Sequence, residues 1–100
     1  MSEIKLGIIG GGQLGSMLSE AARKLNIKTI IYCDDPNAPA KNFCDDFIYA
    51  EYSNKDKIYE FAKKVDIITY EFENIPYETL NEINKFKIVN PKPSINRLIQ

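Results

Sequence analysis

The sequence predicts an α/β fold, a Rossmann-like doubly wound parallel sheet of four or five strands. Three observations predict it. Short apolar runs alternate with segments of helical periodicity, the pattern of strand–helix units. A triple glycine, Gly10-Gly11-Gly12, stands between the first run and the first helical segment. The length of 100 residues, with 44% hydrophobic and 27% charged side chains, suits one soluble domain spanning residues 1–100. Right-handed crossovers then favour the strand order 3-2-1-4-5 with helices on both faces.

Each element has its own signal. Lys5 to Ile9 is an apolar run that reads as a buried strand, and the glycines turn it into a helix from about Gln13 to Leu25. Leu14, Met17, Leu18, Ala21, Ala22 and Leu25 recur at helical spacing and are expected in the core. Lys28 to Cys33, rich in β-branched residues, is the second strand, and Asp34-Asp35-Pro36-Asn37-Ala38-Pro39 is a loop. Phe47 to Ala50 is a third strand. Ser53 or Asn54 can cap a helix from Lys55 to Lys64 that turns Ile58, Phe61, Ala62 and Val65 inward. Asp66 to Tyr70 is the fourth strand. Pro76 suits the first turn of another helix, with Glu78 complementing its dipole and Leu80 and Ile83 facing inward. The strand Lys87 to Val89 follows, and Ser94 can cap a last helix beginning at Ile95.

Composition removes several function classes. Lysine and arginine number 13 against 14 aspartate and glutamate, so no basic field gathers a nucleic acid backbone. No apolar run approaches the ~20 residues that span a bilayer, and the chain opens with Ser2-Glu3, so neither membrane nor secretion is expected and the location reads as cytoplasmic. Cys33 and Cys44 read as reduced thiols without metal-site spacing. With no histidine, Ser-His and Cys-His nucleophiles are excluded, and no metal site or catalytic residue is assigned.

Two constellations remain. Gly10-Gly11-Gly12-Gln13-Leu14-Gly15 fits G-x-G-x-x-G between a strand and a helix, where backbone N–H groups and the helix dipole receive an anion. For a dinucleotide, Asp34 or Asp35 would hold the ribose hydroxyls, although Asp-Asp-Pro-Asn is also ordinary turn chemistry. The second constellation is Thr69-Tyr70-Glu71-Phe72-Glu73-Asn74-Ile75-Pro76, at the carboxyl end of a predicted strand. In extended chain Glu71 and Glu73 share a face and suit a neutral or cationic polar ligand better than a pyrophosphate; as helix-entry acids they would only complement a dipole.

These blocks, together with Asp35-Pro36-Asn37-Ala38-Pro39-Ala40, resemble the amino-terminal, pre-ATP-grasp domain of the 5-(carboxyamino)imidazole ribonucleotide synthase family across essentially the whole chain. The resemblance implies a fragment of an ATP-grasp ligase of purine biosynthesis. That ligase carboxylates aminoimidazole ribonucleotide with bicarbonate and ATP, assisted by magnesium. It reassigns the glycine loop from a dinucleotide to the ribonucleotide substrate, with Gly12, Gln13 and Leu14 touching it and Glu71 and Glu73 accepting its hydrogen bonds. Arg97 matches an arginine that meets ATP. Ser16 and Cys33 depart from the family, which commonly carries Arg and Asp there. The remaining ligands lie in domains outside this sequence, so this chain alone should be inactive and should bind no cofactor by itself. A homodimer is left open for the full-length enzyme. The competing expectations are an NAD-dependent oxidoreductase domain and a stand-alone ligand-binding module.

Overall fold

The computed structural model describes residues 4–70, 77–85 and 88–90. Among them run, in chain order, β1 (Lys5–Ile9), α1 (Gln13–Lys24), β2 (Lys28–Cys33), a 3-10 turn (Pro39–Asn42), β3 (Asp46–Tyr49), α2 (Lys55–Lys63), β4 (Ile67–Tyr70), α3 (Tyr77–Asn84) and β5 (Ile88–Asn90). The strands form one sheet in the order β3-β2-β1-β4-β5, and every neighbouring pair is parallel. This is the predicted doubly wound order. The third and fifth strands are each displaced by one residue from their expected bounds. The last expected helix, from Ile95, lies outside the described residues, as do Pro76 and Lys87.

Alternation along the central strands sends successive side chains to opposite faces, which creates two cores. Ile9, Ile30, Tyr32, Ile68 and Tyr70 pack against Ile58, Phe61, Ala62 and Val65 from α2 and its end and Leu80 and Ile83 from α3. Ile8, Ile31 and Cys33 pack on the other face with Ala38 and Ala40 of the 3-10 segment, joined by Leu6, Leu18, Cys44 and Phe47. Gly7 is needed in β1 because a Cβ there would lie 2.7 Å from Phe61 Cζ and 2.9 Å from Val65 Cγ2. Its missing side chain is the seat of the Phe61 ring.

The helix boundaries follow capping chemistry. Asn54, not Ser53, caps α2, its Oδ1 accepting from the Lys57 backbone N–H at 3.1 Å. At the other end of α1, Asn26 adopts the left-handed conformation with φ of 60°, and Ile27 N–H donates to the Ala22 carbonyl while Asn26 N–H donates to that of Arg23. That is a Schellman closure using Asn where Gly is commoner.

One expectation fails on α1. Ala22 is buried and Leu18 half-buried, but Ala21 is exposed, Met17 is 57% exposed and Leu25 is 70% exposed. The side chain of Leu14 lies outside what is described. The reason is rotational. Gly15, Ser19 and Ala22 are the buried positions, and their small size lets α1 approach the sheet and the 3-10 segment along that line. Arg23 fixes the same rotation by donating to the Phe43 carbonyl at 2.9 Å. Met17 and Leu25 are consequently turned away.

Candidate substrate-binding site

The glycine loop leaves the carboxyl end of β1, the strand at which the chain order reverses, with β2 on one side and β4 on the other. Open parallel sheets place their ligand crevice at this point. Each glycine answers a local demand. Gly10 has φ of 106°, a region closed to most side chains, and its N–H donates to the Tyr32 carbonyl at 2.8 Å. Gly11 is pressed against the segment after β2: a Cβ there would stand 2.7 Å from Ala38 Cβ and 3.2 Å from Cys33 Sγ. The Gly11 carbonyl accepts from Ala40 N–H at 2.9 Å, which pins the loop to the 3-10 turn.

Gly12 is the N-cap of α1, and its carbonyl accepts from Ser16 N–H at 3.0 Å and from Ser16 Oγ at 3.1 Å. The departure at Ser16 thus closes the helix's first turn. That turn contains no acidic residue, whereas Arg23 and Lys24 occupy the last, so no side chain of the first turn itself offsets the dipole's positive end at the crevice. Gln13 is exposed at this end, and Leu14 follows it in the helix.

β4 ends beside the loop, since Tyr70 pairs with Ile9, the last residue before Gly10. Glu71 and Glu73 belong to the stretch that follows and lie outside the described residues, as does Arg97. Gly12, Gln13 and Leu14 are therefore the site residues whose backbone the structure brings together.

Of the two acids after β2, Asp35 closes a turn. Asp35 Oδ1 accepts from Asn37 N–H at 2.9 Å and the Asp35 carbonyl accepts from Ala38 N–H, so this carboxylate builds the turn that delivers Ala38 to Gly11. Sequence reasoning missed Ala38 and Ala40 as supports of the glycine loop. Their signal was present in the small residues flanking Pro39, directly after the second strand. It also missed the aromatic layer beneath: the Tyr52 hydroxyl lies 3.8 Å from Cys33 Sγ, and the Tyr32 hydroxyl donates to the Glu51 carbonyl. Burial, reinforced by Asp34 and Glu51, pushes the Tyr32 hydroxyl up to about 12. Burial and the adjoining Cys33 likewise raise Tyr52. Both phenols stay protonated at neutral pH.

A sequence profile of the ribonucleotide synthetase pre-ATP-grasp domain matches residues 3–100. The chain belongs to that family. N5-carboxyaminoimidazole ribonucleotide synthase of Staphylococcus haemolyticus is 44% identical over 84 residues, covering 83% of this chain and 22% of the relative. The crystal structure of N5-carboxyaminoimidazole ribonucleotide synthetase from Thermotoga maritima superposes with a TM-score of 0.87 at 35% identity, covering 97% of this chain and 27% of that one. N5-carboxyaminoimidazole synthase of Aspergillus clavatus, solved in complex with ADP and 5-aminoimidazole ribonucleotide, gives 0.81 at 32% identity over 95% of this chain and 26% of that one. The chain therefore spans about a quarter or less of the length of these relatives. The fold of the family is the fold seen here, and the ligase resemblance takes precedence over the oxidoreductase reading.

Proposed function

We propose that this chain is the substrate-binding amino-terminal domain of an ATP-dependent carbon–nitrogen ligase that carboxylates 5-aminoimidazole ribonucleotide with bicarbonate in purine biosynthesis. The observation that carries the reading is the likeness, over nearly the whole chain, to the Aspergillus clavatus enzyme crystallised with that ribonucleotide and ADP. The glycine loop supports it physically. Held by Ala38 and Ala40 on one side and opening into α1 on the other, it presents helix-end backbone around Gly12, Gln13 and Leu14 to a polar ligand.

In this reading Glu71, helped by Glu73, accepts hydrogen bonds from the substrate's amine and hydroxyl groups, and Arg97 meets ATP. ATP passes its terminal phosphoryl group to a bicarbonate oxygen and leaves as ADP; the substrate amine then attacks the carboxyl carbon, inorganic phosphate departs with the C–O bond, and the nitrogen loses a proton. The domain's share is to hold the amine in place and keep the nucleotide end fixed. Magnesium would supply charge neutralisation during phosphoryl transfer. Among the described residues no three carboxylate or thiolate side chains come together as a metal site would need. Among them, too, no helix is long and apolar enough to cross a membrane. A cytoplasmic location completes the reading, with a homodimer left open for the full-length enzyme.

The test is Glu71→Gln in the full-length enzyme. A carboxylate accepting from a ligand contributes ~1.5–3 kcal/mol, so the KM for aminoimidazole ribonucleotide should rise roughly 10- to 150-fold while ATP affinity holds. Glu73→Gln should cost less. A folded full-length protein whose ATP hydrolysis ignores aminoimidazole ribonucleotide would sink the assignment.

A further inference from the structure

A second concavity lies on the opposite face of the sheet from the 3-10 turn, between α2 and α3. Its volume is about 470 Å³, within the size range of small-molecule sites. Tyr52 and Tyr59 supply aromatic wall, Ile58 a buried apolar floor, and Glu78 and Glu82 two carboxylates one helical turn apart on α3. Lys55 stands on the α2 side.

Two hydrogen bonds hold the walls apart at a fixed separation. Thr79 Oγ1 donates to the Tyr52 carbonyl at 2.8 Å, and the Tyr59 hydroxyl donates to Glu82 Oε1 at 3.0 Å. Lys85 Nζ sits 3.2 Å from Glu82 Oε2, and these bonds keep the Glu82 carboxyl below its ordinary range and ionised at neutral pH. Lys85 offsets Glu82, so Glu78 is the carboxylate of the lining that a cationic group would meet, beside an aromatic and aliphatic interior.

We propose that this concavity is a second ligand site, for a compact planar ring bearing a cationic or multiply donating nitrogen group. The ring would lie against Tyr52, Tyr59 and Ile58, where aromatic faces reward both stacking and positive charge. The nitrogen group would donate to Glu78 and to the outward lone pairs of Glu82. The proposal does not rest on the ribonucleotide reading, because none of its residues belongs to the glycine loop.

The probe is benzamidine, a planar ring with a forked cation, titrated into the chain and followed by amide NMR. Saturable shifts are expected at Tyr52, Ile58, Tyr59 and Thr79, with a dissociation constant on the order of 1 mM for so small a molecule. Benzoate, the same ring with the opposite charge, should bind at least about 10-fold more weakly. Glu78→Lys alters an exposed side chain that makes no fold contact described above, and it should weaken benzamidine about 5- to 10-fold with an unchanged circular dichroism spectrum. Glu82→Gln should act in the same direction. Shifts that remain linear with concentration, equal binding of benzoate, or full affinity in Glu78→Lys would each overturn the proposal.

Discussion

The two faces of the sheet are built on different principles. The face under α2 and α3 is filled with large side chains, among them Phe61, Tyr32, Tyr70, Leu80 and Ile83, all but fully buried. The face under α1 and the 3-10 turn sets Ile8 and Ile31 against small residues: Ala38, Ala40, Gly11, Gly15 and Ser19. Large residues bury area and hold the fold. Small residues let backbone approach backbone, which a loop presenting N–H groups to a ligand requires. Large-residue burial and close backbone approach are thus divided between opposite sides of one sheet.

Substitutions can break that division in order of size. Phe61→Ala should cost ~3–5 kcal/mol in urea unfolding, because it empties the centre of the large-residue core and leaves the space above Gly7 unfilled. A loss below about 1 kcal/mol would show that α2 is not the main prop. Gly11→Ala should cost less, about 1–3 kcal/mol, since its new methyl meets a Cβ on a pinned turn, not a flexible side-chain end. Its larger effect should fall on substrate affinity in the full-length enzyme. Equal losses in stability and none in affinity would mean that the two faces are not functionally distinct.

The smallest expected effect concerns pH. The Tyr32 phenol is raised from 10.0 to about 12 in the folded state, so the folded chain holds this proton more tightly than the unfolded one. Its contribution is complete below pH 10.0 and is lost as pH climbs towards about 12. Chemical denaturation across this window should show stability falling, and Tyr32→Phe should flatten the fall. The residual slope would report the other groups raised in the folded chain, Tyr52 and Tyr70 by burial, Cys44 by burial and Tyr59 by its bond to Glu82.

Sequence periodicity made the strand order, the α2 stripe and the inward residues of α3 legible, because core-facing helices carry their pattern in the residues themselves. α1 was the exception. Met17, Ala21 and Leu25 satisfy the apolar template as well as Ala22 does, yet the helix turns its smallest residues inward. Close approach to Ala40 and its neighbours decides that rotation, and a hydrophobicity pattern contains no information about approach distance. The glycine loop was legible for a related reason: glycine announces backbone proximity directly. What it approaches, Ala38 and Cys33, lies more than twenty positions away and became visible only with the fold. The role of Asp35 was open in the sequence because the same carboxylate can close a turn or hold a ribose, and only its bond to Asn37 distinguishes them.

The central position of β1 also has a consequence for how the chain is made. Lys5 and Asp66 are joined by reciprocal bonds across 61 positions, so β1 lacks one of its two neighbours until β4 has been synthesised. During that interval Ile8 and Ile9, both wholly buried in the finished sheet, lie beside an open strand edge. Parallel pairing over such separations is slow, because loop closure must precede the contacts that compensate it. The nascent segment is therefore the stretch most exposed to mispairing or to capture by a chaperone, and its vulnerable period ends when Ile67 to Tyr70 emerges.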